Sequence, residues 1–333
     1  MLADKSFCHL LYLLRLADGQ PVEERVTLSP DEWRAVYRLA AIHAVIAVAW
    51  DGVEQLQSAA PEALQSMPAD VTGKWFADVQ AIDAANRRLA KQAAAIQSRL
   101  NAAEFDSQIL KGAALAAYYP RPAHRQSADI DLWIKQSNSP QVSLKALRQE
   151  LLSYLQQQPD ITIGETVYHH IETTIDGIEV EYHVTPTWLC NPRNNRRLQQ
   201  LFADAPQVTP ELQELYTLLH AFRHIYHDGI ALRHVMDYHL VCHHNRLAGV
   251  QQPYDMYRQL GLAAFAGAMD EVTAAIFDKS EQQQLSKRAK HILEALPERQ
   301  VSRAVRWDYP AETMFNLPWR TIHFIWRKMN NYV

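Results

Sequence analysis

Two alternating runs joined by Asp-Gly constrain this chain more than any other segment. Polar and apolar side chains alternate through residues 167–175 and again through residues 178–184, with Asp176 and Gly177 between the two runs. An Asp-Gly pair in this position predicts a β-hairpin closed by a two-residue type I′ turn. The chain must therefore contain a sheet, and the turn fixes which residues of the hairpin face each other.

The predicted register gives the hairpin two different faces. The apolar face has three pairs, namely Ile175 with Ile178, Thr173 with Val180, and Ile171 with Tyr182. The polar face also has three, namely Thr174 with Glu179, Glu172 with Glu181, and His170 with His183. Like charges directly opposite each other are unfavourable, so Glu172 and Glu181 need a cation, a proton or divergent side chains. A solvated sheet face is the alternative interpretation.

A second strand carries two carboxylates. The run that begins at Asp129 alternates acidic and apolar residues, so Asp129 and Asp131 project from one face of a strand. Two carboxylates at this spacing can share Mg²⁺, a hard cation that takes oxygen ligands and keeps substrate phosphates in its shell. A third carboxylate from a neighbouring strand would complete a two-metal site. Glu181 is the natural candidate, with Glu179 and Glu172 as alternatives.

A strand-to-helix junction precedes these acids. Residues 108–110 read as a short strand, Lys111 and Gly112 follow, and residues 113–119 are predicted to form a short helix. Glycine lets backbone N–H groups approach phosphate oxygens, and the following helix N-terminus favours anions. Lys111 and Arg125 can add positive charge against a triphosphate.

In combination, these motifs resemble those of an uncharacterised bacterial nucleotidyltransferase family of the DNA polymerase β-like superfamily. They resemble more distantly the nucleotidyltransferase toxins of abortive-infection systems. The resemblance covers roughly residues 105–240, with its motifs at 110–115, 118–120, Arg125, 129–132, 180–183 and 222–237. It implies an α+β fold, in which a small mixed-sheet polymerase β-like nucleotidyltransferase core is flanked by helical regions and the chain is predominantly helical.

The resemblance also implies an activity. It is the Mg²⁺-dependent transfer of an NMP from an NTP to a hydroxyl acceptor, which is a protein, an RNA or a small molecule, with release of pyrophosphate. Asp129, Asp131 and Glu181 would be catalytic and would bind two Mg²⁺ ions. The expected nucleotide-binding residues lie in the glycine loop, on the hairpin and along the later helices: Lys111, Gly112, Ala113, Arg125, His183, His224, His227, Arg233 and Asp237.

Two other functions stay open at this point. One is a catalytically silent binding protein with the nucleotidyltransferase fold. The other is an HD-type metal phosphohydrolase, because the His-rich helix contains the pair His227-Asp228, which Asp237 and His183 could complete as metal ligands. Gly229 argues against this hydrolase, since it is expected to end or kink the helix directly after Asp228.

Helical patterns surround the predicted sheet. An Ala- and Gln-rich segment at 76–100 predicts one long helix, and further helices are expected at 143–157 and from 209 onward. We therefore expect three regions: an N-terminal helical region at 1–105, a nucleotidyltransferase core at 106–190 and a C-terminal helical domain at 191–333.

Composition limits the partners and the compartment. The chain has 33 Lys+Arg against 37 Asp+Glu, so strong binding to duplex nucleic acid is not expected. The apolar stretch near the N-terminus is short and interrupted by charges, which predicts neither a signal peptide nor a membrane span. Three separated cysteines without a CxxC pair predict buried free thiols in a reducing compartment. We expect a cytoplasmic protein without membrane contact.

Overall fold

A five-stranded mixed sheet lies within a mainly helical chain, which confirms the expected α+β class. The computed structural model describes residues 5–22, 26–136, 143–227, 229–278, 284–299 and 308–309. The helices in these ranges are α1 (Lys5–Ala17), α2 (Pro30–Ile42), α3 (Ile46–Ala59), α4 (Ala69–Ala102), α5 (Ala113–Ala116), α6 (Leu144–Gln156), α7 (Pro192–Asp204), α8 (Pro210–His227), α9 (Leu232–Leu247), α10 (Tyr254–Gln259), α11 (Ala263–Phe277) and α12 (Lys287–Ala295). The strands are β1 (Phe105–Ile109), β2 (Asp129–Gln136), β3 (Thr162–Thr166), β4 (His170–Ile175) and β5 (Ile178–His183).

The hairpin of β4 and β5 has the predicted turn and register. Asp176 and Gly177 both have positive φ, 51° and 74°, as a type I′ turn requires. The pairing runs from Ile175 opposite Ile178 to His170 opposite His183, with every intermediate pair as predicted. The apolar face and the polar face of the hairpin are therefore those that the alternation indicated.

The sheet order is β1-β2-β5-β4-β3, so β2 lies beside β5 at the centre. This pair is parallel, whereas the other neighbours are antiparallel. In the parallel register Asp129 lies opposite Glu179, and Asp131 lies opposite Glu181. The two acidic strands predicted separately from the sequence are thus direct neighbours.

Three local predictions differ from the structure. Strand β1 begins at Phe105 rather than near residue 108, because Phe105 is buried and pairs with the end of β2. Helix α5 ends at Ala116, three residues before its predicted end, since Pro120 restricts the backbone that precedes it. Strand β3 was not predicted at all. Its central Gly164 weakens the strand pattern, and β3 is held at the sheet edge by β4.

Helix α4 connects two hydrophobic cores. Trp75 and Val79 pack in a core formed by helices from both the N-terminal and the C-terminal parts of the chain. Ile96 and Leu100, near the other end of α4, pack with α6 against the apolar face of the sheet. Helix α4 is therefore longer than the helix predicted at 76–100, and together with α6 it covers the apolar face of the sheet.

Two expectations about the environment have different outcomes. Of the three cysteines, Cys242 is buried, Cys190 is half-buried and Cys8 is exposed. The prediction of buried thiols therefore holds for one cysteine of the three. Among the helices within the described ranges, none is both long enough and apolar enough to cross a membrane.

Gly52 permits the close packing of α3 on α1. A Cβ atom at Gly52 would lie 2.1 Å from the carbonyl oxygen of Leu13, so one helix backbone must move to admit it. We expect Gly52→Ala to lower the free energy of unfolding by about 1–3 kcal/mol, the usual effect of overpacking.

Gly73 of α4 supplies the matched control for this substitution. Nothing lies within 4 Å of a Cβ atom at Gly73, so Gly73→Ala should stabilise the protein by about 0.5–1 kcal/mol. Urea unfolding followed by circular dichroism measures both variants. Effects of the same sign for the two would contradict the close contact between α1 and α3.

Candidate active site

The central pair of strands collects acidic side chains on one face of the sheet. Asp131 is 1% exposed, and its neighbours Asp129 and Glu181 are half-buried. Glu179 shares this face but is exposed, and Glu172 lies opposite Glu181 on β4. The three acids predicted to be catalytic are therefore brought together, with Asp131 at the most buried position.

The two carboxylate oxygens of Asp131 have different surroundings. Its Oδ1 accepts from Lys111 Nζ at 2.7 Å and lies 3.0 Å from His183 Nε2. Its Oδ2 is buried and has no hydrogen-bond partner among the described residues. The same His183 nitrogen is 2.9 Å from Glu181 Oε2, so this imidazole connects the two carboxylates.

The pKa shifts of the cluster follow from these contacts. Burial by itself would raise the pKa of Asp131, but Lys111 and His183 outweigh burial and hold that pKa below its usual range. Burial would also raise the pKa of Glu181, but the hydrogen bond from His183 outweighs burial, so that pKa is lowered. The pKa of Asp129 is raised, first by burial and then by the adjacent Asp131 carboxylate. Negative charge in the cluster is thus only partly compensated by the protein.

Gly112 turns the chain between β1 and α5, directly beside the acids. Its φ of 54° lies in the left-handed region, which favours glycine. A Cβ atom at this position would be 3.7 Å from the carbonyl oxygen of Asp129 and 3.8 Å from Ser127 Oγ. The loop formed by Gly112 and Ala113 therefore lies against the beginning of β2.

Arg125 and Asp237 form a buried ion pair behind this loop. Arg125 Nε donates to Asp237 Oδ1 and its Nη2 to Asp237 Oδ2, both at 2.7 Å, and the two residues are 3% and 1% exposed. Tyr119 also donates to this carboxylate, at 2.7 Å. Arg125 Nη1 donates to Ser127 Oγ at 3.0 Å and reaches the Gly112 carbonyl at 3.4 Å. The pair therefore contacts the glycine loop from within the protein.

Arg125, Arg233 and Asp237 bond to protein groups in the structure, and their contacts with nucleotide stay a prediction. A buried carboxylate requires a counter-charge, and Arg125 satisfies Asp237 in both oxygen positions. Arg233 donates from Nη1 to the carbonyl of Gln126 at 2.9 Å, which attaches α9 to the segment between α5 and β2. Asn86 of α4 holds the same segment through the carbonyls of Ala123 and Arg125. The three charged residues thus hold this segment and, through Arg125, the glycine loop, and they do not border either of the two cavities described next.

Two cavities next to the acids meet at Lys111. The first, of about 230 Å³, lies between α4 on one side and the glycine loop and β2 on the other; its polar border includes Lys111, Gly112, Ser127, Asp129 and Asp131. The second, also of about 230 Å³, is bordered by Lys111, Glu181, His183, Thr187, His220, Arg223 and His224, among others. The acids are thus divided between the cavities, with Asp129 and Asp131 at the first and Glu181 at the second.

Three histidines at or next to the second cavity lie close enough together to bind a metal ion. Ligand nitrogens of His220, His224 and His234 lie within 4.8 Å of one another. However, His234 Nδ1 accepts the backbone N–H of Ala231 at 3.1 Å, so the proton of its neutral ring is on Nε2. A protonated nitrogen offers no lone pair to a metal, so this cluster lacks one of its three ligands.

The hydrolase ligand set is not assembled by the described residues. His227 is the last residue of α8, but its side chain and all of Asp228 lie outside the described residues. Asp237 bonds to Arg125, and His183 contacts the acids of the sheet. These two proposed ligands thus have different partners.

Sequence reasoning missed several polar residues of the second cavity, among them Arg223 and Thr187. The guanidinium of Arg223 lies 4.7 Å from the ring centre of Trp188. Its spacing from His220, three residues along α8, places both on one helix face and could have indicated it. Thr187 lies in the loop after β5, where no periodic pattern identifies it.

Comparison with known proteins gave one match. A family model described as an uncharacterised nucleotidyltransferase matches residues 29–278, which is well over half of the chain. The matched range contains the acids, the glycine loop and helices α8 and α9. No curated protein and no solved structure matches the chain.

The buried Arg125–Asp237 pair generates a stability prediction. Asp237→Asn removes the negative charge and leaves the Arg125 guanidinium buried without a counter-ion, so we expect a loss of about 3–5 kcal/mol. Asp255→Asn, in the exposed pair with Arg258, is the matched control and should cost less than about 1 kcal/mol. Urea unfolding of both variants checks this difference. Equal losses would show that the buried pair does not hold the loop.

Proposed function

The chain belongs to the uncharacterised nucleotidyltransferase family, and from this premise we propose that it transfers an NMP from an NTP to a hydroxyl acceptor. Family membership supports nucleotidyl transfer in general; the Mg²⁺ requirement, the NTP and the acceptor belong to the proposal. The observation that carries the proposal is the buried, unpartnered Oδ2 of Asp131, next to Asp129 and Glu181 and close to the glycine loop.

The donor set fits Mg²⁺, which prefers carboxylate oxygens. Asp131 Oδ2 has no hydrogen-bond partner among the described residues, and burial together with the adjacent Asp131 carboxylate raises the pKa of Asp129. A cation bound by both carboxylates and Glu181 would relieve both effects. When bound at these residues, Mg²⁺ would neutralise phosphate charge and make the α-phosphorus more electrophilic.

We assign the first cavity to the NTP because the glycine loop and both aspartates border it. In this assignment the backbone N–H groups of Gly112 and Ala113 donate to phosphate oxygens. Ala113 has no hydroxyl to offer a phosphate oxygen, but Ser127 places a hydroxyl at the border of the same cavity. Lys111 supplies positive charge where the two cavities meet.

The second cavity would hold the acceptor, because Glu181 borders it. The acceptor oxygen forms a bond to the α-phosphorus while the bond from that phosphorus to the pyrophosphate oxygen breaks. Pyrophosphate leaves with the electron pair of that bond, and Glu181 takes the proton of the acceptor hydroxyl. His183, bonded to Glu181 and Asp131, keeps both carboxylates in position. Positioning and charge stabilisation are the main contributions of the protein.

Several predicted residues receive a different role in this proposal. Arg125, held by Asp237, positions the glycine loop, and Arg233 positions the segment before β2, instead of contacting the nucleotide. His224 borders the acceptor cavity, and the contact of His227 with nucleotide stays a prediction. The three-region division, the cytoplasmic location and the weak affinity for duplex nucleic acid also stay predictions.

One observation favours the catalytically silent alternative. Lys111 and His183 already neutralise Oδ1 of Asp131, as a protein without metal ions would require. Such a protein would bind an NTP without Mg²⁺ and would not need the negative charge of Asp131. Removing the negative charge of Asp131 therefore distinguishes the two functions, because only nucleotidyl transfer depends on that charge.

We expect Asp131→Asn to reduce transfer of label from an α-labelled NTP at least about 100-fold, because it removes a charge at the reacting phosphate. The same loss is expected for Glu181→Gln. Glu179→Gln, which changes the exposed neighbour on the same strand, is the matched control and should stay within about threefold of the wild type. Incubation with Mg²⁺ and cell extract, followed by separation of labelled products, measures the transfer.

Thermal unfolding separates loss of the site from loss of the fold. Without Mg²⁺, Asp129→Asn should unfold at or above the wild-type temperature, since it removes one charge from crowded carboxylates. Mg²⁺ with an NTP analogue should raise the unfolding temperature of the wild type and not that of the variant.

Transfer that is equal in the wild type and Asp131→Asn would contradict the proposal. Mg²⁺-independent NTP binding without transfer would favour the silent protein.

A further inference from the structure

Arg223 is a half-buried cation that the proposed transfer does not use. It lies on α8 at the border of the second cavity, with its guanidinium over the ring of Trp188. Its Nε is buried without a hydrogen-bond partner, and no carboxylate of the described residues forms an ion pair with it. Charged groups with buried atoms are normally paired, so this guanidinium is available to an anion.

Thr187 borders the same cavity and has a similar deficit. The residue is 2% exposed, and its Oγ1 has no hydrogen-bond partner within the described chain. Its backbone is held independently, because its carbonyl accepts from Thr185 Oγ1 at 3.3 Å and from Gln199 Nε2 at 2.9 Å. Buried polar groups are normally hydrogen-bonded, so the unpartnered atoms of Arg223 and Thr187 at one cavity indicate a ligand that satisfies both.

Two other basic groups of this cavity are already bonded to carboxylates. Lys111 is bonded to Asp131 at 2.7 Å. His183 lies 3.0 Å from Asp131 and 2.9 Å from Glu181. Arg223 borders the cavity without an ion pair to a carboxylate of the described residues.

The same cavity reaches the proposed proton acceptor. Glu181 borders it together with Arg223 and Thr187, so one bound molecule can contact all three. We propose that the acceptor of nucleotidyl transfer is a small hydroxylated compound with a phosphate or carboxylate group, which Arg223 and Thr187 bind while its hydroxyl meets Glu181. This inference rests on the proposed function, since that function assigns the second cavity to the acceptor.

The geometry of Arg223 suits an oxyanion. A guanidinium presents its donors in a planar fork that matches two oxygens of a phosphate or carboxylate. The cation–π contact with Trp188 restricts the guanidinium before the ligand binds. The Thr187 hydroxyl adds one neutral donor. A cavity of about 230 Å³ accommodates a compound of a few carbon atoms with one such group.

Three probes with the same carbon skeleton test the anion requirement: glycerol, glycerate and glycerol 3-phosphate. Their dissociation constants are measured by ligand-observed NMR with the full chain, Mg²⁺ and a saturating non-hydrolysable NTP analogue. We expect at least one anionic probe to bind about tenfold or more tightly than glycerol, because a charge-assisted, bidentate contact is gained. Comparison of glycerate with glycerol 3-phosphate distinguishes carboxylate from phosphate as the preferred group.

Variants assign this preference to the two residues. In Arg223→Gln the anionic probe should bind within about twofold of glycerol, and Arg223→Lys should restore the preference only in part, since the planar fork is lost. Thr187→Val should weaken anion binding about three- to tenfold, the effect of one lost hydrogen bond. It gives a second test if Arg223→Gln fails to fold. Arg38→Gln, an exposed substitution on α2, is the control and should leave all three constants unchanged.

Equal binding of glycerol and both anions by the wild type would overturn the inference, as would an anion preference that persists in Arg223→Gln. Binding of the NTP analogue is measured separately in each variant. Loss of Mg²⁺-dependent analogue binding in the wild type would contradict the proposed function, whereas intact analogue binding without an anion preference would contradict only the nature of the acceptor.

Discussion

The parallel pairing of β2 with β5 is the contact on which the rest of the site depends. It places Asp131 beside Glu181 on one face of the sheet, while the apolar residues of both strands face α4 and α6. Because side chains alternate along a strand, a register shift by one residue would turn the carboxylates into the hydrophobic core. The chemistry of the polar face is therefore fixed by the burial of the opposite face.

The protein stabilises its buried charges by pairing them, and it does so unequally. Asp237 has both oxygens bonded to Arg125, which satisfies it completely and makes it part of the scaffold. Asp131 has one oxygen bonded to Lys111 and the other without a partner among the described residues. A buried carboxylate with one free oxygen is costly for stability but can bind a cation. The difference between the two aspartates separates a residue that supports the site from one proposed to act in it.

Features encoded by neighbouring residues were predictable from the sequence, and contacts between distant residues were not. The hairpin was predicted in full because Asp176-Gly177 specifies the turn and alternation specifies the faces. The acids were chosen from one strand and one hairpin, although no local pattern gives the parallel pairing that joins them. Arg125 and Asp237 are both in recognisable motifs, but a pair separated by 112 positions has no local signal. Arg223 was missed because its lack of an anion is a property of the folded structure.

The most direct test of this account is a crystal structure of the protein with Mn²⁺, in place of Mg²⁺, and a non-hydrolysable NTP analogue, with the metal located by its anomalous scattering. The account predicts metal density at Oδ2 of Asp131, shared with Asp129 and Glu181, and the phosphates of the analogue at the glycine loop. Metal bound instead by His220, His224 and His234, or an analogue bound away from the acids without metal, would contradict the assignment of these carboxylates as the catalytic centre.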